Sequence, residues 1–388
     1  LRLGPAGGRR PAASVLRLAA GTGPDGVRTL RRGGPGGREV GVPDGLVVAE
    51  ALALARRLAR YRPDGDADVV ASGVDSVATG LPSLLGLSTT DPAGVAALRG
   101  RRGPGERLRV PLGTDDDGGR PVLLDLKESA QGGAGPHGLC IGATGSGKSE
   151  LLRTLVLGLV ATHTAEELNL VLVDFKGGAT FLGLAGLPHT SAVITNLAEE
   201  LTLVDRMADA LAGEITRRQE VLRAAGNLSS LAEHDALRRD GAPLAALPSL
   251  LVVVDEFSEL LAQRPEMIDL MVTIGRLGRS LGIHLLLASQ RLEEGRLRGL
   301  ESHLSYRIAL RTFSAAESRA VLGVPDAHLL PPTPGAAYLS AGTDELVRFR
   351  AAYVSGPDTP RAARRRAPGA PRLALPFRAG PVALPASA

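Results

Sequence analysis

Tryptophan is absent, and four tyrosines and six phenylalanines are the only other large aromatic residues. Leucine, valine and alanine must therefore fill the interior of a chain that is 44% hydrophobic. The single cysteine, Cys140, excludes an internal disulfide and a cysteine-based metal cluster, and it fits a reducing compartment. No uncharged apolar run reaches the roughly 18–20 residues that cross a bilayer. The opening stretch LRLGPAGGRRPAASVLRLAAG has arginines but no compact apolar core, so it makes a poor signal peptide. The formal net charge of +4 is too small to argue for nucleic acid. Lysine is almost missing as well: of 45 basic residues only Lys127, Lys148 and Lys176 are not arginine. An ammonium is a compact point charge and a guanidinium a planar fork. A lysine retained against such a bias points to a site that needs the compact charge.

A length of 388 residues allows one large domain or two ordinary ones. Glycine and proline gather at the two ends. Residues 1–45 are rich in Gly, Pro and Arg with no sustained period, and are expected to form no packed structure. Residues 46–105 read as a helical and linker segment, with GLVVAEALALARRLARYRP as a helix stopped by Pro63 and GLPSLLGL as an apolar island. Residues 106–356 carry the pattern of the main domain. RLRVPLG and RPVLLDLK flank TDDDGG as a strand, turn and strand. From Gly138 apolar strands alternate with helices: GLCIGA, LNLVLVDF, SLLVVVDEF and GIHLLLASQ, followed by YRIALRT and GAAYLS. Near-continuous Leu/Val/Ile runs of this kind mark buried parallel strands of an α/β sheet. Residues 357–388 return to Pro, Ala and Arg and read as a solvated tail. Binding of nucleic acid or lipid is the alternative for its PRAARRRAPGAPR run.

Gly142-Ala143-Thr144-Gly145-Ser146-Gly147-Lys148-Ser149 matches the P-loop pattern, between an apolar strand ending at Ile141 and a helix opening at Ser149. Its glycines let backbone N–H groups turn inward around phosphate oxygens, and the helix N-terminus adds its positive dipole end. Lys148 is placed to reach the β- and γ-phosphates, with the Ser149 hydroxyl as a magnesium ligand. LLVVVDEF delivers Asp255 and Glu256 at the C-terminal edge of a parallel strand, where open α/β sheets bind ligands. Asp255 is expected to hold magnesium through water, and Glu256 to orient and polarise the attacking water. An acidic pair opening a helix is the plain alternative there. Ser289 and Gln290 end a third strand at the same edge. Gln290 is a candidate γ-phosphate sensor, against a capping serine beside an exposed glutamine. LVDFKGGATF brings Asp174, Lys176, Gly177 and Gly178 to that edge too, with Lys176 either facing phosphate or at the surface.

These strand-end motifs, with the stretch from GRSLGIHLLLASQ to PPTPGAAYL, resemble the FtsK/SpoIIIE group of hexameric motor ATPases. Within that group they are most similar to the first ATPase domain of the EccC motors of type VII (ESX) secretion. The resemblance runs from about Leu81 to Val354 and includes the hairpin and DLKESAQGGAGPHGLCIGATGSGKSE. It implies a RecA-like P-loop NTPase with a mostly parallel central sheet, preceded by a helical and hairpin segment. It implies a magnesium-dependent ATPase at the cytoplasmic face of the cell membrane, working in a hexameric ring with other ATPase domains or subunits. Membrane components of the secretion system and secreted ESX-class proteins are the implied partners, and DNA is not expected. ATP would then lie between neighbours, with an arginine supplied in trans. Arg206 in LVDRMADAL is the first candidate, and Arg217, Arg276, Arg279 and Arg319 are alternatives. His189 and His284 recur in the family pattern and read as packing or hydrogen-bonding residues, and no His/Asp/Glu spacing suggests a metal site built by protein alone. EccC proteins carry transmembrane helices before this region and further ATPase domains after it. A chain that starts without methionine and has neither reads as a fragment or a short member. A double-stranded DNA translocase and a nucleotide-regulated assembly module with little turnover are the alternative functions.

Overall fold

The apolar runs of the sequence become one large sheet in the computed structural model. The structure describes residues 80–356 apart from 88–89, 116–118, 129–130, 176–179, 196–200, 293–294, 296 and 343–345, together with five short strands nearer the ends. The chain divides into two compact units, Leu1–Asp75 with Pro371–Ala388, and Ser76–Ala370.

The smaller unit holds β1 (Leu18–Thr22), β2 (Arg28–Arg32) and β3 (Glu39–Gly41), an antiparallel sheet in the order β1-β2-β3. It also holds β4 (Tyr61–Pro63), which pairs antiparallel with Ala379–Pro381. These strands stand in segments expected to be unpacked, or to end a helix. Strands of three to five residues carry no periodicity that a sequence window registers, so backbone pairing alone reveals them. The body of the expected helix, residues 45–60, lies outside the described residues.

The larger unit begins with a helical turn at Leu81–Leu84 inside the apolar island and a helix at Pro92–Gly100 capped by Asp91, whose side chain accepts from the Gly94 N–H. The expected hairpin follows as β5 (Arg109–Asp115) and β6 (Pro121–Asp125), paired antiparallel. The remaining strands are β7 (His137–Ile141), β8 (Leu168–Asp174), β9 (Thr190–Thr195), β10 (Ser249–Asp255), β11 (Ile283–Ser289), β12 (Tyr306–Leu310), β13 (Ala336–Ala341) and β14 (Leu346–Ala351). They form a ten-stranded sheet with β5 and β6, in the order β6-β5-β14-β13-β12-β7-β11-β10-β8-β9. The run from β12 to β9 is parallel throughout, and β13, β14, β5 and β6 extend it antiparallel.

Alternation within the apolar runs explains why the central strands β8 and β10 have no solvent-facing side. Leu168, Leu170 and Leu172 of β8 enter one core, while Val171 and Val173 enter the other. β10 divides in the same way, with Leu251 and Val253 opposite Leu250, Val252 and Val254. The first core contains Leu151, Leu155 and Leu159 of the helix Lys148–Thr162. The second contains Val204, Met207 and Leu211 of the helix Leu201–Ala224, and Met271 and Ile274 of the helix Met267–Leu281. Covering both faces makes every residue a core residue, hence the continuous hydrophobic runs.

Arg218 is 1% exposed yet charged. It donates to the carbonyls of Leu281 (2.8 Å) and Pro248 (2.7 Å) and to Glu214 (2.8 Å), tying a helix end and the approach to β10 to one guanidinium. Arg218→Ala strips two carbonyls of their donor and leaves unfilled volume. A loss of about 3 kcal/mol is expected, read as a lower urea midpoint. A midpoint equal to wild type would show that the pocket relaxes or rehydrates without cost.

Candidate functional site

Parallel β7, β11, β10 and β8 end at one edge of the sheet, and the polar residues that follow them converge there. After β7 the chain makes the P-loop. Gly145 (φ 78°) and Gly147 (φ 96°) take left-handed conformations that only glycine adopts without strain. A Cβ at Gly147 would also stand 2.7 Å from the Gly335 nitrogen. That close approach supports the loop from outside, because the Gly335 N–H donates to the Ser146 carbonyl at 2.8 Å. Gly142 donates to the Ser289 carbonyl (3.2 Å) and Ala143 to the Arg311 carbonyl (2.8 Å), anchoring the loop to the end of β11 and to the residue after β12. The helix Lys148–Thr162 then aims its N-terminus into the cleft.

Lys148, 8% exposed, ion-pairs with Asp255 at the end of β10. Burial pushes the Asp255 carboxyl above its ordinary range, although Lys148 and a hydrogen bond from Thr180 act in the opposite direction. Thr180 lies 3.1 Å from Asp255 Oδ2 and 3.3 Å from Ser149 Oγ. Its backbone N–H donates to Asp174 Oδ2 at 3.1 Å. Asp174 and Asp255 are register partners across β8 and β10, so the sheet itself sets their spacing.

Glu256, one residue past β10, has φ 66° and ψ 46°, left-handed backbone in a residue with a side chain. Such a conformation costs of order 1–3 kcal/mol and persists only where the surroundings impose it. Here three donors hold the carboxylate: Ser289 Oγ (2.6 Å), the Gln290 N–H (3.0 Å) and Gln290 Nε2 (2.7 Å). Burial works to raise this carboxyl, but Ser289, Gln290 and the charge of Lys148 together hold it below the ordinary glutamate range. Gln290 Oε1 in turn accepts from Thr144 of the P-loop at 2.7 Å. A chain of side chains thus runs from the phosphate loop to Glu256.

The cleft between these groups has a volume of about 410 Å³ and is lined by Ala143, Thr144, Gly145, Gly147, Lys148, Ser149, Asp174, Asp255, Glu256 and Gln290, among others. A second cavity of about 280 Å³ shares Ala143, Thr144 and Gly145 and continues to Phe313, His328 and Pro331. The described residues contain no cluster of three or more His, Cys, Asp or Glu fit for a metal. A magnesium ion bound with a nucleotide would need few protein ligands, and the Ser149 hydroxyl and Asp255 carboxylate are hard oxygen donors of the kind it prefers. The residues present fit the ion.

The site therefore unites residues that the sequence spaced far apart: the P-loop, Asp174, Asp255, Glu256, Ser289 and Gln290. Ser289 and Gln290 face Glu256 as donors, at the edge where the sequence puts Gln290 as a candidate phosphate sensor. Thr180 was missed, because its contacts with Asp174, Asp255 and Ser149 are tertiary and no sequence period describes them. Lys176, Gly177 and Gly178 lie outside the described residues. Arginine is missing among the described residues lining the cleft. Arg206 is exposed on the helix Leu201–Ala224, Arg217 is bound to Glu214 at 2.7 Å, and Arg279 to Glu128 at 2.7 Å. Arg276 and Arg319 are exposed. His189 is buried and bonds the His163 carbonyl at 2.9 Å, while burial drives the pKa of His284 down to about 3. Both are buried, hydrogen-bonded residues away from the cleft lining. Among the described residues no helix is long and apolar enough to cross a membrane.

Comparison with known proteins places this geometry in context. The FtsK/SpoIIIE family model matches residues 100–294. The ESX secretion system protein EccC of Thermomonospora curvata is 59% identical over 369 residues, covering 94% of this chain and 28% of that protein. The ESX-4 secretion system protein EccC4 of Mycobacterium tuberculosis is 52% identical over 376 residues, covering 95% of this chain and 30% of that one. The solved cytoplasmic domain of the T. curvata type VII secretion ATPase EccC superposes with a TM-score of 0.70 at 64% identity, over 74% of this chain and 33% of that structure. The chain spans less than a third of the length of these two curated relatives.

Proposed function

This chain belongs to the FtsK/SpoIIIE family, and from that premise we propose that it is an ATP-hydrolysing motor domain of a type VII secretion system. The observation that carries the reading is the convergence of Lys148, Ser149, Asp255 and Glu256 on one cleft at the sheet's C-terminal edge. The names of its relatives, ESX secretion system proteins at 59% and 52% identity, support the secretion assignment.

In this reading residues 106–356 form the ATPase domain, and the backbone N–H groups of Gly142 to Lys148 cradle the phosphates. Lys148 exchanges its bond to Asp255 for the phosphate oxygens, a swap of one anionic partner for another that keeps a buried ammonium neutralised. Ser149 and Asp255 would hold magnesium, which when bound would neutralise phosphate charge. Glu256, ionised and held by three donors, orients and polarises the attacking water. Gln290 ties Thr144 to Glu256, so a phosphate seated on the loop can be felt at the catalytic carboxylate. The cavity reaching Phe313 and His328 accepts the nucleoside. Neighbouring ATPase domains or subunits in a ring supply an arginine, for which Arg206 is the first candidate. The motor works at the cytoplasmic face of the membrane, with membrane components of the system as its support and ESX-class proteins as its cargo.

A steady-state phosphate-release assay tests the reading. Turnover is expected to require magnesium, to respond to an ESX-class signal peptide or to enforced oligomerisation, and to be unmoved by double-stranded DNA at physiological salt. A chain carrying only +4 has little nonspecific grip on DNA there. Strong stimulation by DNA would make the chain a DNA motor instead. Nucleotide binding with no turnover under any condition would make it an assembly module.

A further inference from the structure

Thr180 is buried, and its polar groups reach three parts of the cleft, yet the chemistry above gives it no role. Its hydroxyl stands between the two side chains assigned to magnesium, Ser149 and Asp255. A hydroxyl has one proton and can also accept. Asp255 Oδ1 accepts from the Lys148 ammonium, and its Oδ2 faces Thr180 as the acceptor of the Thr180 proton. The Ser149 hydroxyl, 3.3 Å away, then has the Thr180 oxygen as the acceptor for its own proton. That order turns the Ser149 lone pairs away from Thr180, free to act as ligands.

We propose that Thr180 is a positioning residue for the magnesium ligands, setting the proton direction of Ser149 and the rotamer of Asp255 through one hydroxyl. The inference rests on the reading of the cleft as a magnesium–ATP site and deepens it. When Lys148 leaves Asp255 for phosphate, Thr180 is the donor that stays and keeps the carboxylate from rotating. The alternative, a residue that only anchors its loop, is separable by chemistry. Anchoring uses the backbone of Thr180: its N–H donates to Asp174, and its carbonyl accepts from Arg153 Nε at 2.9 Å. Thr180→Val keeps both contacts and nearly the same shape and removes only the hydroxyl.

The test is an equilibrium titration of the full chain with a fluorescent, slowly hydrolysed ATP analogue, with magnesium varied from chelated to saturating. For Thr180→Val, the magnesium concentration giving half the metal-dependent gain in affinity is expected to rise roughly 10–100-fold, as for other residues that orient metal ligands, while affinity under EDTA stays within about twofold. Thr180→Ser should return the wild-type curve, and if the valine variant does not fold, Thr180→Ala against Thr180→Ser reads the same contrast. An unchanged magnesium curve without the hydroxyl overturns the proposal, and so does an equal loss with and without metal, the signature of a loop anchor. A wild-type chain whose affinity never responds to magnesium would overturn the magnesium–ATP reading itself, and this inference with it.

Discussion

Glu256→Gln is expected to bind ATP as the wild-type chain does while its turnover falls by about 10²–10⁴, the span usual for loss of a positioned acid–base group. The local structure gives the reason for both halves. Glu256 touches neither the glycine turn nor Lys148 through any hydrogen bond, so the phosphate cradle survives the change. Its carboxylate accepts from three donors, and an amide in its place must turn its own NH₂ toward Ser289 or Gln290. The charge that would polarise water is lost, and the chain from Thr144 through Gln290 loses its end point. Lys148→Ala should do the reverse. It removes the ammonium that neutralises phosphate and leaves Asp255 buried without its ion-pair partner, so binding itself should fall below detection. Equilibrium binding beside phosphate release separates the two variants. Wild-type turnover by Glu256→Gln would remove Glu256 from the chemistry.

The centre of the sheet was legible because β7, β8, β10 and β11 are buried on both faces and announce themselves as apolar runs, whereas β9 and β14 are only partly buried and carry no such run. The P-loop was legible because phosphate cradling demands glycine at fixed positions, and Gly145 and Gly147 take the positive φ that the spacing anticipates. Relations between strand ends were harder to read. Asp174 and Asp255 are neighbours only because β8 and β10 pair in one register, and Thr180 meets both through its backbone N–H and its hydroxyl. Hydrophobic periodicity carries no information about either. The edge that holds Gln290 was legible, but its partners Glu256 and Thr144 were not, since they come from two other segments. The three-to-five-residue strands near the chain ends escaped notice because they are too short to show a period.

Two defective subunits are expected to make an active pair when one carries Glu256→Gln and the other Arg206→Ala. The cleft holds a lysine and carboxylates but, among its described lining residues, no arginine to meet the charge that develops on the transferred phosphoryl group. In related phosphoryl-transfer systems an arginine from a neighbour raises turnover by roughly 10³–10⁵. Among the exposed candidates, Arg217 is engaged by Glu214 and Arg279 by Glu128, so either would have to break a bidentate or close ion pair before acting in trans. Arg206 has no such bond among the described residues, although its neighbour Asp205 is paired with Arg264 at 3.1 Å. That leaves its guanidinium available on the outer side of the helix Leu201–Ala224. The wild-type chain should accordingly be a slow ATPase whose turnover per subunit climbs with protein concentration or on fusion to a hexamerising partner. Mixing the two single variants restores one intact interface between an unaltered Glu256 and an unaltered Arg206. Placing both changes in the same subunit and mixing it with wild type should not exceed simple dilution of the wild type. Phosphate release measured across mixing ratios should therefore peak at intermediate composition. A flat or monotonic profile would show that Arg206 acts in cis or not at all, and Arg276 and Arg319, also exposed, become the next subjects of the same mixing.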